Sequence, residues 1–324
     1  MTASKIATWL STLHSNGVQL DLAQLLRYQH QTCWLNLTPK QTIQSKLAGS
    51  YLAKTKGRGM EFDEVRHYQT GDDVRTIDWR VTARTGKVHT KLFREEKERP
   101  VFVLTDLSAT MHMGSALLFK SVQAAHLAAM IGWHAKERGD KFGGIVFNNQ
   151  QIRELKPAAR HTGIVRYLHQ LIALHTPPHD APDTVTLADA LGQLRQLCRP
   201  GSLIYVLSDF ASLDDSCWRH IQAMRAHNEI RLCQITDPLD VTLPANVRSQ
   251  VAVKDLQGLM VADLANPELR QRYMTQQQQH QQLLIKQCRA LGLQLTGISA
   301  AEPVAEQFRR HNPHYAAGGV YGNA

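Results

Sequence analysis

The sequence predicts an α/β fold: a doubly wound, mostly parallel sheet preceded by a small, charged α+β segment. Three observations predict it. Short continuous apolar runs recur between residues 101 and 299, as in VFVLTD, KFGGIVF and SLIYVLSD. Helical patterns of roughly a dozen residues or more separate most of them, the length a parallel crossover needs. The runs alternate with helices instead of clustering, so both sheet faces are covered and the strands read as unbroken apolar stretches.

Taken in order, residues 5–13 and 20–29 show helical spacing, with Asp21 placed as a cap for the second helix. Residues 101–106 form the first buried strand, followed by a Ser/Thr-rich loop and a long helical segment over 116–138. Residues 141–147 are the next strand, and 151–155 return as its partner from a turn at Asn148–Asn149. Helices are expected over 162–174 and 187–198, a strand over 202–209, a helix over 214–226 and a strand over 229–236. Residues 259–263 read as a strand, a Gln-rich helix runs to about Leu291, and 293–299 form the last strand. The expected organisation is 1–100 as N-terminal helices with a charged segment, 101–301 as the sheet domain, and 302–324 as a helix end and flexible tail.

Composition bounds the function classes. Of 324 residues, 43% are hydrophobic and 20% charged, which suits a folded chain with a sizeable core. The longest apolar runs fall far short of the ~20 residues that span a bilayer. The N-terminus reads as an amphipathic helix and not as a signal peptide, so a cytoplasmic protein is expected. Five cysteines with no C-x-x-C spacing argue for reduced thiols and against a zinc site. The net charge of +9 permits an anionic partner. Residues 1–100 carry 16 Lys and Arg against 10 Asp and Glu, so most of the excess lies there.

In doubly wound sheets ligands bind beyond the carboxyl ends of the strands, at a switch point in the strand order. Two strand ends carry a carboxylate here: Asp106 opens D-L-S-A-T, with Ser108 and Thr110, and Asp209 follows Ser208. One carboxylate and two hydroxyls in a tight loop suit a hard divalent cation, and a second Asp from a neighbouring strand can hold it through water. The segment resembles a von Willebrand factor A domain with its metal-ion-dependent adhesion site. That resemblance implies Mg²⁺ or Mn²⁺ held by Asp106, Ser108, Thr110 and Asp209, and a site that accepts a partner carboxylate. The second loop of such a site departs from pattern: Val185 stands where the ligand Thr would be, with Thr184 and Thr186 on either side. The same loop is one acid short of a phosphatase of the haloacid dehalogenase type, because Ser108 occupies the position of the general acid. A Walker-type phosphate loop is absent from the sequence, so no nucleotide hydrolysis is expected by that route.

Residues 57–98 are dense in charge, glycine and aromatics. Glu61, Asp63, Glu64, Asp72, Asp73 and Asp78 interleave with Arg58, Arg66, Arg75, Arg80 and Arg84, among Phe62, Tyr68, Ile77 and Trp79. This pattern predicts either a fold-specifying network of partly buried Arg–carboxylate pairs or a partner-binding surface built on Arg58, Glu61, Arg66, Asp72, Asp73, Arg75, Asp78, Trp79 and Arg84. The run G-R-G-M-E-F-D-E-V-R-x-Y-x-x-G-D-D-V-R-x-I-D-W-R-V-T-A-R-T-G, then K-x-F-R-E-E and a strand with D-x-S, resembles the signature of domain-of-unknown-function family 58. The resemblance covers residues 47–209. It implies a von Willebrand factor A-like domain, no catalytic activity, and work beside a MoxR-type AAA+ ATPase and other von Willebrand factor A proteins in chaperone-like protein maturation or stress response. A nucleic-acid-binding role for the basic first third is the alternative, weakened by the alternation of Arg with carboxylates.

The Gln-rich run 274–284 reads as an exposed helix face. The sixteen His show no metal-ligand spacing.

Overall fold

The structure, a computed structural model, describes residues 3–30, 60–95, 98–177, 182–243, 250–255, 258–263 and 266–311. The chain divides into two compact units, residues 44–98 and the remainder. In chain order the elements begin with helices α1 (Ala3–Leu13) and α2 (Leu22–Leu26). The smaller unit holds β1 (Met60–His67), α3 (Trp79–Thr85) and β2 (His89–Glu95). The larger unit continues with β3 (Pro100–Asp106), α4 (Lys120–Glu137), β4 (Lys141–Phe147), β5 (Ile152–Ala158), α5 (Arg160–Leu174), α6 (Leu187–Leu197) and β6 (Leu203–Ser208). It ends with α7 (Asp215–Arg225), β7 (Glu229–Thr236), α8 (Pro238–Val241), β8 (Gln250–Asp255), β9 (Gly258–Asp263), α9 (Pro267–Ala290), β10 (Gln294–Ser299) and α10 (Val304–His311).

The six-stranded sheet has the order β10-β7-β6-β3-β4-β5. All neighbours are parallel except β5, which returns antiparallel beside β4. The order reverses between β3 and β6, so the switch point lies where Asp106 and Ser208 end their strands. Burial explains the apolar runs. Val101 and Val103 of β3 enter one core with α4 and α5, while Phe102 and Leu104 enter a second core with α6 and α7. Successive side chains point to opposite faces, and each face has its own helical cover.

Helix α4 is buried all round, from Lys120 to Trp133 and again at Ala135. A helix apolar on every side needs a second cover beyond the sheet. Residues 3–30 supply it. Leu25 and Tyr28 are core residues, Trp133 Nε1 donates to the Leu25 carbonyl at 3.1 Å, and the Tyr28 hydroxyl meets His126 Nδ1 at 2.9 Å. Ile6, Trp9, Leu10 and Leu13 of α1 pack on Leu117, Leu118 and Val122. The N-terminal helices therefore belong to the sheet unit and not to a separate domain ending at residue 100, because the long central helix would otherwise face water. Beyond residue 301, Val304 is buried, Phe308 packs on the core and Gln307 bonds Ser299, so α10 also belongs to this unit. The expected flexible tail from residue 312 lies outside the described residues.

One strand is placed differently from expectation. Residues 259–263 do not join the sheet; β9 pairs antiparallel with β8 as a separate hairpin. A short apolar run of that length looks the same whether it pairs in a sheet or in a hairpin. The Gln-rich run sits on α9, in which only Leu284 and Cys288 are buried. Cys198 is half-buried and Cys217, Cys233 and Cys288 are buried, all as free thiols; Cys33 lies outside the described residues. Among the described residues no helix is long and apolar enough to cross a membrane.

In the smaller unit β1 and β2 pair antiparallel, with His67 opposite His89 and Val65 opposite Lys91. Asp78 caps α3 by accepting the amides of Arg80 and Val81, and Gly86 ends the helix at φ +71°, a left-handed conformation suited to glycine.

Leu25 provides a direct check on the N-terminal packing. Leu25→Ala is expected to destabilise the chain by about 3 kcal/mol through a cavity against α4, read as a lower urea midpoint with an unchanged slope. A neutral result would mean that residues 3–30 do not complete this core.

Candidate functional site at the strand ends

The site starts from a buried acid. Asp106 is 1% exposed at the end of β3. Its Oδ1 accepts the Ser108 amide at 2.8 Å and its Oδ2 accepts the Ser208 hydroxyl at 2.6 Å. The first bond curls the loop back over the strand end, and the second ties β3 to β6 across the switch point. Ser108 Oγ and Thr110 Oγ1 then lie 3.3 Å apart on the loop, and the Ala109 amide donates to Asn149 Oδ1 at 2.6 Å. Ser108 is half-buried, while Ala109 and Thr110 are exposed. Burial, and after it the charge of Asp209, push the Asp106 carboxyl up to about 6, against the lowering effect of the Ser108 and Ser208 hydrogen bonds.

Asp209 is nearly buried and faces a group that the sequence reading did not single out. Lys120, the first residue of α4 and only 3% exposed, places Nζ 2.9 Å from Asp209 Oδ2 and 3.3 Å from Asp240 Oδ1. Burial alone would lower the pKa of this ammonium, but the two carboxylates outweigh it and the net shift is upward. Asp240 moves up through burial, opposed by Lys120. Asp237 holds the preceding loop by accepting the Ser115 amide and hydroxyl at 2.8 and 2.5 Å. Lys120 lies ten residues beyond the D-x-S-x-T run, too far for motif spacing to flag it. The only sequence signal was a cation at the start of a long apolar helix.

The expected second loop does not converge on the same point. The Thr184 hydroxyl turns to the backbone oxygens of Asn149 and Gln150, each at 3.4 Å. Thr186 caps α6 in a reciprocal capping box with Asp189. Val185 packs against the apolar core. A divalent ion of the Mg²⁺ or Mn²⁺ kind wants about six oxygens at roughly 2.1 Å, with neighbouring ligands about 3 Å apart. Ser108 and Thr110 have that spacing. The other arms do not: Asp209 holds an ammonium, and both threonine hydroxyls are engaged elsewhere. The residues present do not complete a divalent-ion site. Among the described residues no group of three or more His, Cys, Asp or Glu is arranged as a metal site either.

Among the described residues the charged segment holds ion pairs of the expected kind. Arg66 pairs with Asp72 at 2.7 Å and Lys91 with Asp78 at 3.6 Å. The carboxylates mainly serve backbone amides: Asp72 accepts Gln69, Asp73 accepts Arg75, and Asp78 accepts Arg80 and Val81. Asp72 is held below the usual carboxylate range first by the Gln69 amide and then by Arg66, and Asp78 first by the Val81 amide, with Lys91 next. Arg75, Arg80 and Arg84 are exposed, and among the described residues no carboxylate pairs with them. Trp79 is 67% exposed beside them. Glu61 lies on β1, and Arg58 lies outside the described residues.

The Asp106 shift has a signed consequence. Its folded value exceeds the ordinary carboxylate value, so between about pH 4 and pH 6 the folded chain holds more proton than the unfolded one. Stability from this group is complete below about pH 4 and is lost as pH rises through about 6. Asp106→Asn keeps an acceptor for the Ser108 amide and carries no charge. It gives up the acceptor for the Ser208 hydroxyl but removes the titration, and it is expected to flatten that part of the stability curve. Urea denaturation at about pH 4 and pH 7 measures it, and an unchanged slope would refute the assignment.

Uncharacterised proteins of Mycobacterium bovis and Mycobacterium tuberculosis are each 31% identical over 268 residues, covering 82% of this chain and 82% of theirs. Among solved structures, the conserved hypothetical protein BatB from Bacteroides thetaiotaomicron aligns with a TM-score of 0.42 at 13% identity, over 67% of this chain and 98% of that one. An aerotolerance-related membrane protein from Bacteroides fragilis gives 0.41 at 13%, over 67% and 99%. A von Willebrand factor type A protein from Catenulispora acidiphila gives 0.36 at 14%, over 69% and 43%. Residues 64–283, from the charged segment through the switch-point sheet into α9, match the model of the family described as protein of unknown function DUF58, and the chain belongs to that family.

Proposed function

We propose that the chain is a non-enzymatic interaction module that works in the cytoplasm with a MoxR-type AAA+ ATPase, in chaperone-like protein maturation or stress response. It docks through the loops at the strand ends. The observation that carries the reading is the state of the switch-point groups. Asp106, Ser208 and Asp209 are all engaged by structural partners, while the Ala109–Thr110 tip above them is exposed. Catalysis would need a general base or nucleophile within reach of a substrate. Here the buried acids hold the loop in shape, and the loop presents its backbone and hydroxyls outward. The ATPase partner and its setting come from the family resemblance, and a rigid polar loop on a stiff sheet is the kind of surface such a partner can read.

The smaller unit offers a second contact. Trp79, Val74 and Val88 are 67%, 58% and 44% exposed, in company with the exposed Arg75, Arg80 and Arg84. Tryptophan and arginine are the residues most enriched at binding hot spots. The mixture of aliphatic groups with arginine suits an acidic protein face better than a phosphate backbone.

Capture of the MoxR-type ATPase by the immobilised chain, with and without ATP, tests this. Thr110→Arg places bulk on the exposed loop tip and Trp79→Ala removes the exposed ring. Each is expected to weaken capture at least about tenfold, with Trp79→Ala costing about 2 kcal/mol, while leaving the melting temperature unchanged. Full-strength capture by both variants would sink the docking faces. Tight, steeply salt-dependent binding to single-stranded DNA would favour the nucleic-acid alternative.

A further inference from the structure

We propose that Lys120 is the resident cation of the strand-end site, standing where a divalent ion would otherwise neutralise the second strand-end carboxylate, so that the docking face is assembled without bound metal. This rests on the docking role of the strand ends proposed above, but it concerns the chemistry of the isolated chain.

Three observations carry it. The Lys120 ammonium is almost fully buried and lies within ion-pair distance of two carboxylates, Asp209 at 2.9 Å and Asp240 at 3.3 Å. A buried ammonium at that distance holds the carboxylate in a fixed orientation, as a metal would, and losing its partner strands a buried charge. The carboxylate it holds is the one that follows the strand beside β3, and its other oxygen accepts the Ala211 amide at 3.0 Å, fixing the loop after β6. Asp240 belongs to α8, the short helix after β7, so the one ammonium joins the ends of β6 and β7 to the start of α4. A water-linked cation bridging strand ends would perform the same task.

The charge arithmetic is local. Asp237 is satisfied by Ser115 and the Leu239 amide, and Asp106 by Ser108 and Ser208. That leaves Asp209 and Asp240 as the carboxylates in need of a cation, and Lys120 lies between them. A second cation at Asp209 would have to displace or approach an ammonium that is already within 2.9 Å, at a Coulombic cost that grows in a low-dielectric site.

The test uses the full chain, stripped with a chelator and titrated with Mn²⁺ alone. The wild type is expected to show no stoichiometric bound Mn²⁺ by electron paramagnetic resonance and no shift in melting temperature. Lys120→Gln is expected to lower the melting temperature by roughly 10 °C, and added Mn²⁺ to recover part of that loss. The double variant Lys120→Met with Asp209→Asn removes both charges and keeps the test open if the single variant does not fold. It is expected to fold without metal and to ignore Mn²⁺. Tight Mn²⁺ binding with stabilisation of the wild type overturns the proposal, as does a Lys120→Gln chain as stable as the wild type. None of these measurements includes the ATPase, so failure of docking and failure of the resident cation are read separately.

Discussion

A carboxylate that ends a dry strand must be solvated by the protein itself, and much of the larger unit is arranged around that requirement at Asp106. The strand before it is buried on both faces, and Asp106 itself is almost wholly buried. An unpaired acid there would cost several kcal/mol. The Ser108 amide and the Ser208 hydroxyl meet the need, and each fixes a piece of structure. The first determines the loop that carries Thr110. The second locks β6 to β3 where the strand order reverses. Ser208 Oγ also accepts the Phe210 amide at 3.0 Å, and Phe210 takes the left-handed conformation at φ +60° while its side chain is fully buried. The turn that delivers Asp209 toward Lys120 is thus a consequence of satisfying Asp106.

The opposite end of the central strands is governed by the same rule with the charge reversed. Arg99 stands where the chain re-enters the larger unit after residues 44–98. Its amide donates to Asp140 at 2.9 Å, and its guanidinium reaches the Gly201 and Ser202 carbonyls and Glu229. Glu229 in turn holds Arg231, which bonds the Tyr205 hydroxyl. A buried guanidinium with directional donors defines the start of β3 against β6 and β7. The central strand is therefore held at its first residue by a cation and at its last by an anion.

These two anchors show what the sequence could and could not disclose. The sheet strands were legible because strands covered on both faces are continuous apolar runs, and the crossover helices because their lengths exceed a turn. Asp106, Ser108, Thr110 and Asp209 were legible because strand ends at a switch point are where polar residues gather. Lys120 was not, since it reaches the site through the start of a helix and its meaning depends on where Asp240 falls after β7. The packing role of α1 and α2 was also hidden. Their amphipathic pattern says that they cover something, but only the all-round burial of α4 says what. Threonines 184 and 186 flank the expected ligand position in sequence, yet the capping requirement of α6 and the carbonyls of Asn149 and Gln150 claim their hydroxyls first.

The charged segment carries the same lesson about local competition. An Asp near a turn can reach an amide two or three residues away with almost no loop to close, whereas an ion pair across the chain must close a longer loop and freeze a long arginine side chain. Asp72, Asp73 and Asp78 all take the local option, Arg66 pairs with an acid six residues away, and Asp78 reaches Lys91 at 3.6 Å in addition to its cap. Alternating charge in sequence therefore does not translate into alternating charge in space. Asp72, Asp73 and Asp78 hold turns and the α3 cap, and Arg75, Arg80 and Arg84 remain on the surface with Trp79. The exposed groups of the described segment thus include Arg75, Arg80, Arg84 and Trp79 beside Asp73, while Asp72 and Asp78 serve the turn and the helix cap beneath them.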